Sequence, residues 1–391
     1  MTSAATIRCA QWAAGLQLDP VGSAPVVGGF LLVSWPLPWP ADVGDVAELA
    51  EVLDAARRVG FRVQLVTRPG ADPVVVRYAP RATGATGAAG ATGAAGAAVM
   101  VPGEPGATFS EFERLAVAAD DPASLVAVAS DLLAGVGCLP TGAGDSGAGT
   151  GDLRARGVTA DERAPAGHQP SGAGDLSVGS SGLGSRRAPR AGLLGAPAQA
   201  GTAGDVLVCT HGRRDRCCGS AGMALFQELA ERHLPARWEL SRTSHTGGHR
   251  FAPTAVVLPE GTMWAFADPD LLEQVVTRSG SFSEVAARYR GCAGLDSAAS
   301  QVLERVALEE EGWSVLDGAR QGTALGGGRH RLTVRWPDGR VRVWEATVVP
   351  RRRLPLPECG APAGDRRRDA KPVTELAATD VDREDATPVR R

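Results

Sequence analysis

Residues 139–204 place the strongest limit on how this chain can fold. The stretch is rich in Gly, Ala and Ser with scattered Arg, and its apolar residues recur at neither helix nor strand spacing. Such a composition buries too little apolar surface to offset the entropy that is lost on ordering. We therefore predict a disordered linker here, with folded structure on both sides of it.

Two further segments share this lack of packable side chains. Residues 82–98 are almost entirely Ala, Thr and Gly, and residues 351–391 carry runs of Arg followed by alternating charges. Low complexity and dense charge both disfavour a packed core. The first segment is predicted to be a flexible surface insertion and the second a disordered tail.

The region before the linker, residues 1–138, has the pattern of a small α/β domain. Short runs rich in β-branched and aromatic residues alternate with segments whose apolar residues recur at helical spacing. The predicted strands are 29–35, 61–67 and 74–78, and the predicted helical segments are 43–59 and 109–133. A β-α-β unit therefore opens the chain.

The region after the linker, residues 205–292, has the order β-α-β followed by β-β-α. The predicted elements are strand 205–209, helix 220–233, strand 238–243, a hairpin of 254–258 and 262–266, and helix 269–276. This order is typical of a thioredoxin-like domain. Residues 293–350 add a helix and a β-hairpin as an appendage. The predicted fold class is α/β throughout.

Charge and hydropathy exclude two classes of partner. Arg and Lys total 41 against 44 Asp and Glu, a net charge of -3, so no overall positive field attracts nucleic acid or anionic lipid. No run approaches the roughly 18 apolar residues that span a bilayer. The N-terminus also lacks the features of a signal peptide. We expect a cytoplasmic protein with no nucleic-acid and no membrane partner.

Cysteine and histidine concentrate in two segments, 209–219 and 244–252. The chain has seven cysteines, an odd number at uneven spacing, which indicates metal or redox chemistry rather than a disulfide framework. Thiolate and imidazole are soft or borderline ligands, which suits zinc or an iron-sulfur cluster and excludes calcium and magnesium. The cysteines and histidines of these segments are Cys209, Cys217, Cys218, His211, His245 and His249.

Two glycines determine how His245 and His249 are presented. Histidines four residues apart share a face of a helix, but Gly247 and Gly248 make a helix costly there. A loop is therefore predicted, whose tight backbone lets both rings reach one metal and lets bulky sulfides approach closely. Without a metal, the same segment would be a polar turn.

Direct thiol chemistry is a separate interpretation of the cysteine segment. A phosphatase is excluded, because a Cys-x5-Arg cradle beginning at Cys209 needs an arginine where the chain has Asp215. A redox dithiol stays open, since nearby arginines lower thiol pKa values. The segment lacks Cys-x-x-Cys, however, and a bridge between the vicinal Cys217 and Cys218 would be strained.

The two segments together resemble the sucrase/ferredoxin-like family. The matching runs are Cys-Thr-His-Gly-Arg-Arg-Asp, ending in Cys-Gly, and His-Thr-Gly-Gly-His-Arg-Phe-Ala-Pro. The resemblance implies a thioredoxin-like C-terminal domain with a [2Fe-2S] cluster held by Cys209, Cys218, His245 and His249. Family alignment favours Cys218, while the vicinal Cys217 stays open as a substitute.

The function implied by the resemblance is electron transfer to or from a redox partner protein, with no catalytic residues of its own. Neutral imidazoles in place of two thiolates would raise the potential and could couple it to proton uptake. Two alternatives stay open: a structural Cys2His2 zinc site and a metal-free thiol oxidoreductase. Sucrose hydrolysis is not expected, because no carboxylate pair can be argued from the sequence.

The residues around the motifs also receive predictions. His211 is a candidate to hydrogen-bond to a cluster ligand, or else to be exposed in a turn. Arginines beside the motifs would form a basic rim for an acidic partner, or else be solvated or paired with Asp215 and Glu239. These arginines are Arg213, Arg214, Arg216 and Arg250. The dispersed cysteines, expected to be structural or free thiols, are Cys9, Cys138, Cys292 and Cys359.

Overall fold

A computed structural model describes residues 8–68, 70–81, 108–119, 121–134, 136, 204–355, 359 and 372–386. These residues belong to one compact unit, which covers 1–139 and 195–391, while a second unit covers 140–194. The predicted insertion at 82–98 and the predicted linker, up to residue 203, lie outside the described residues. Among the described helices, none is both long and apolar enough to cross a membrane.

The structure confirms the mixed α/β class. Before the linker the elements are α1 Cys9–Gly15, β1 Gly29–Ser34, α2 Ala50–Arg58, β2 Phe61–Thr67, β3 Val74–Pro80, β4 Thr108–Phe109, β5 Phe112–Ala118 and α3 Pro122–Ala134. After it come β6 Gly204–Cys209, α4 Met223–Arg232, β7 Trp238–Thr243, β8 Ala255–Leu258, β9 Thr262–Trp264, α5 Pro269–Thr277, β10 Tyr289–Cys292, α6 Ala298–Glu311, β11 Ala319–Gly326, β12 Arg329–Arg335, β13 Val341–Pro355 and β14 Pro372–Ala386.

A nine-stranded sheet contains strands from both sides of the linker, in the order β10-β9-β8-β6-β7-β2-β1-β3-β5. The pairs β1–β2 and β6–β7 are parallel, and each is extended by antiparallel strands on its far side. Residues 109–133 were predicted to form two helices, but 112–118 form strand β5 and only α3 is helical. Apart from the short β4, the two halves share the order β-α-β-β-β-α. The thioredoxin-like order expected for 205–292 therefore occurs in both halves.

The two halves join edge to edge. Val66 and Thr67 of β2 pair antiparallel with Thr243 and Arg242 of β7. An apolar cluster on one face of the sheet includes Phe30 from the first half and Leu207 from the second. Strands β1 and β6 are buried on both faces, and each appears in the sequence as a continuous apolar run.

A second sheet, of five strands, has the order β14-β13-β12-β11-β4. The hairpin predicted within 293–350 is β12–β13, and the predicted helix is α6. Strand β14 contradicts the prediction of a disordered tail over residues 351–391. Its charged side chains gain partners from the neighbouring strand: Asp385 accepts a hydrogen bond of 2.6 Å from Arg342. The alternating charges of the tail therefore lie on β14, which is an edge strand of this sheet.

Candidate metal centre

The carboxyl ends of β6 and β7 carry the two sequence motifs. Cys209 is the last residue of β6 and is in register with Thr243, the last residue of β7. A π-helical turn, Cys218–Gly222, leads from the cysteine loop into α4. His249 begins a short 3-10 turn after β7. Because parallel neighbours end at the same edge of a sheet, the two loops meet there.

Small residues allow the cysteine loop to fold back on β6. A Cβ atom at Gly222 would overlap the carbonyl oxygen of Cys209, and one at Gly219 would overlap the backbone of Gly212. Only glycine permits backbone contacts this close. The two glycines therefore hold Cys218 beside the end of β6.

Cys209 interacts with two of the other predicted ligands, Cys218 and His245. Cys209 and Cys218 are buried. Hydrogen bonding from the Cys218 thiol, and less strongly from the His245 ring, lowers the pKa of Cys209 well below its ordinary range, against the effect of burial. Burial lowers the pKa of His245, which favours the neutral ring. This group combines a readily ionised thiol with an uncharged imidazole.

His245 has a buried nitrogen that no neighbour satisfies. Among the described residues, no hydrogen-bond partner faces its Nδ1 atom. An unpaired buried polar atom is costly in a native structure. A metal bound at Nδ1 would remove that cost, so the position fits a ligand role.

Asp215 holds the His249 ring at its Nδ1 atom. Its Nδ1 atom lies 2.8 Å from Asp215 Oδ2, which leaves Nε2 to face a metal. The His245 and His249 rings have centroids 6.3 Å apart. Asp215 Oδ1 accepts backbone hydrogen bonds from Cys217, at 2.8 Å, and Cys218, at 3.2 Å. Asp215 therefore ties the two loops together.

The pKa of Asp215 reflects this role. Burial raises it, but hydrogen bonding and opposite charge from His249, with the two backbone donors, outweigh burial and leave the pKa below its ordinary value. From the sequence, Asp215 excludes a phosphatase cradle and is a candidate partner for arginines. Its place between two candidate ligands follows only from the fold.

Cys217 faces a different set of groups from Cys218. Its Sγ atom lies 3.8 Å from Cys9 Sγ and 3.2 Å from Cys359 Sγ. Together with Asp215, these three cysteines place one ligand atom each within 4.8 Å of one another, a group that could hold a metal ion. We call it the three-cysteine group.

Cys9 and Cys359, predicted to be structural or free thiols, lie close enough to Cys217 and Asp215 to form a candidate ligand group. They are far apart in the sequence, and their thiols meet that of Cys217 only in the folded chain. Cys292 is buried elsewhere, and its thiol donates to the carbonyl oxygen of Glu260 at 3.2 Å. Cys138 lies outside the described residues.

A family model described as sucrase/ferredoxin-like matches residues 21–291. The chain belongs to the sucrase/ferredoxin-like family. Both motif segments lie within the matched range, whereas Cys9 and Cys359 lie outside it. No significant match was found among curated proteins or among solved structures.

His211 lies inside the family match but does not reach the centre through its ring. Its Nε2 atom lies 2.7 Å from the carbonyl oxygen of Pro40. The backbone of His211 instead hydrogen-bonds to Cys209 and helps to lower its pKa. The side-chain role predicted for His211 is therefore replaced by a backbone role.

The predicted basic rim is only partly present in this member of the family. Arg213 and Arg216 are exposed. Arg214 pairs with Asp42 at 3.0 Å, rather than with Asp215 or Glu239. Arg250 is half-buried, and its Nε atom has no hydrogen-bond partner among the described residues.

Half-buried Arg62 and buried Arg290, neither of which the sequence motifs indicate, support the histidine loop. Arg62 donates to the carbonyl oxygen of His245 at 2.7 Å, and Arg290 donates to that of Gly247 at 3.1 Å. Burial lowers the pKa of each arginine to about 10. Both are therefore still cationic at neutral pH, and they place positive charge behind the candidate centre.

A matched pair of glycine substitutions tests this support. Gly247 and Gly248 both have positive φ, of 84° and 68°. A Cβ atom at Gly248 would lie 2.5 Å from the Arg290 guanidinium, whereas one at Gly247 meets nothing closer than 3.9 Å. We expect Gly248→Ala to lower the free energy of unfolding more than Gly247→Ala, by at least about 1 kcal/mol. Urea unfolding measures the difference, and equal losses would contradict it.

Proposed function

We propose that this protein transfers electrons through a [2Fe-2S] cluster held by Cys209, Cys218, His245 and His249. The observation that carries the proposal is that Cys209 hydrogen-bonds to both Cys218 and His245, while the Nδ1 atom of His245 is buried with no hydrogen-bond partner among the described residues. The cluster would supply one-electron oxidation and reduction at a potential set by its ligands.

The donor set fits such a cluster. Two sulfur and two imidazole ligands are the combination that Rieske centres use. A cluster of two irons distributes its ligands in pairs, so all four side chains need not touch one another. The greater separation of the two histidine rings is compatible with this arrangement.

The protein groups around the ligands orient them and set their charge. Asp215 accepts a hydrogen bond from His249 Nδ1 and thereby directs Nε2 toward the cluster. This arrangement is common for metal-binding histidines. The fixed charges of Arg62 and Arg290 favour the more negative, reduced state. Burial of both thiolates excludes water from their side of the centre.

The choice between the vicinal cysteines has structural support. Cys218 contacts Cys209, whereas Cys217 contacts Cys9 and Cys359. Since the thiol of a cluster ligand has to face the other ligands, these contacts favour Cys218. Exposed Arg213 and Arg216 would face an acidic redox partner protein, whose association should then weaken as salt is raised.

Iron, acid-labile sulfide and EPR measurements on one anaerobic preparation test the proposal. We expect two irons and two sulfides per chain, and a rhombic signal of low average g after reduction with dithionite. Cys218→Ala should lose iron and sulfide, whereas the matched control Cys217→Ala should retain both. Circular dichroism verifies that each variant is folded.

Two outcomes would overturn the proposal. A colourless, EPR-silent protein whose zinc is lost in Cys209→Ala would make the centre a structural zinc site. Thiol-disulfide activity that persists in metal-free protein would identify a thiol oxidoreductase. Loss of iron from Cys217→Ala but not from Cys218→Ala would reassign the second thiolate.

A further inference from the structure

The three-cysteine group unites three distant parts of the chain. Cys9 comes from α1, Cys217 from the cysteine loop, and Cys359 from beyond β13. Cys9, Cys217 and Asp215 are buried, and Cys359 is half-buried. Three thiols that the proposed cluster does not use therefore converge with Asp215 in a largely enclosed position. This position adjoins the proposed cluster, because Cys9 Sγ lies 3.4 Å from His249 Nδ1.

The spacing of the ligand atoms fits a tetrahedral ion. Sulfur ligands at about 2.3 Å from Zn²⁺ lie roughly 3.8 Å apart at the corners of a tetrahedron. The observed separations are 3.8 Å for Cys9 to Cys217 and 3.2 Å for Cys217 to Cys359. Asp215 Oδ2 lies 4.0 Å from Cys9 Sγ. Small side-chain movements would bring all four atoms to bonding distance of one ion.

The donor chemistry selects the class of ion. Three thiolates and a carboxylate favour a borderline, thiolate-binding cation and disfavour calcium and magnesium, which require oxygen ligands. Four protein ligands with no open position are typical of structural zinc sites rather than catalytic ones.

The three-cysteine group is reached by a cavity, and its carboxylate ligand is held by hydrogen bonds. A cavity of about 390 Å³ beside α1 is lined by Arg8, Ala10, Cys217 and Phe266, among others, and reaches the group from solvent. The Oδ1 atom of Asp215 is fixed by the backbone of the cysteine loop, as described above. Access and a hydrogen-bonded second layer are both expected of a working metal site.

We propose that Cys9, Asp215, Cys217 and Cys359 bind one zinc ion, in a site that adjoins the iron-sulfur centre and shares none of its ligands. The ion pins α1 and the segment that carries Cys359 onto the cysteine loop. Asp215 contacts both this site and His249, so the zinc site braces one ligand of the neighbouring centre. The proposal does not depend on the identity of the group at that centre.

Zinc content of the full-length protein tests the proposal. The protein is purified anaerobically without chelator, incubated with zinc chloride and desalted, and its zinc and iron are measured together. We expect one zinc per chain in addition to any iron. Cys9→Ser and Cys359→Ser should lose that zinc and keep their iron. Cys292→Ala, which removes a buried thiol outside both groups, should keep both metals.

A second readout guards against variants that fail to fold. Circular dichroism verifies folding, and alkylation with mass spectrometry follows individual thiols in the unsubstituted protein. Cys9 and Cys359 should be protected while zinc is bound, and should become reactive when a chelator removes it. Cys359, being half-buried, should respond most clearly.

Different outcomes separate failure of this proposal from failure of the proposed function. Iron without additional zinc, zinc retained in both serine variants, or a Cys217–Cys359 disulfide in the anaerobic protein would overturn the zinc site alone. Absence of iron with zinc lost in Cys9→Ser would overturn the iron-sulfur proposal and support the zinc site. Zinc lost in Cys209→Ala but not in Cys9→Ser would overturn both.

Discussion

Replacing Gly222 with alanine is expected to lower the free energy of unfolding by about 3 kcal/mol or more and to separate Cys218 from Cys209. The added Cβ atom would overlap the carbonyl oxygen of Cys209, which is the last backbone group of a central strand. Neither backbone can yield without breaking the pairing of β6 with its neighbours. Such overpacking is among the costly single substitutions.

Urea unfolding and iron content measure this effect on the same preparation. Gly15→Ala is the matched control, because Gly15 ends α1 and a Cβ atom there meets nothing within 4 Å. The control should retain both stability and iron. If Gly222→Ala were as stable as the control, the close packing of the cysteine turn on β6 would be wrong.

Asp205→Ala is expected to destabilise the protein by about 3–5 kcal/mol. The Asp205 carboxylate is fully buried at the start of β6 and forms ion pairs with Arg68 and with Arg114, the latter at 3.2 Å. Tyr78 also donates its hydroxyl proton to Asp205. Removing this carboxylate leaves buried cations undercompensated, which costs far more than losing an exposed pair.

Asp54→Ala provides the surface comparison. Asp54 pairs with Arg57 at 2.6 Å, but both side chains are more than half exposed. Its removal should change the free energy of unfolding by no more than about 1 kcal/mol. Because Arg68, Tyr78 and Arg114 come from the first half and Asp205 from the second, a loss as small as this control would contradict the buried network that joins them.

Much of the fold follows from local sequence patterns. Strands β1 and β6 were predictable because each contains a continuous apolar run, Phe30–Val33 and Val206–Cys209, that buries both faces of the strand. Strand β2 was predictable from its aromatic and β-branched residues. The tail was not predictable in the same way. The side chains of β14 alternate in charge, which by itself favours disorder. The residues of β13 that pair with them are defined only by the strand register.

The positions of Cys209 and His245 could be anticipated from the sequence, because each follows a strand and neighbouring parallel strands end at one edge. The family resemblance supplied the expected pairing with Cys218. Three features of the surroundings were not anticipated: the roles of Asp215, Arg62 and Arg290. Each acts across a contact between separate elements, and no spacing along the chain records such a contact.

The sequence by itself determined the α/β class, the strands that end at the two motifs, and the soft chemistry of their side chains. These properties depend on residue type and on short-range periodicity, which are local. Only the tertiary structure decided that Cys217 and Cys218 face different partners and that Cys9 and Cys359 meet beside them. Residues separated by more than a hundred positions converge because burial of the whole sheet and its helices fixes their places, and that burial is a property of the assembled fold.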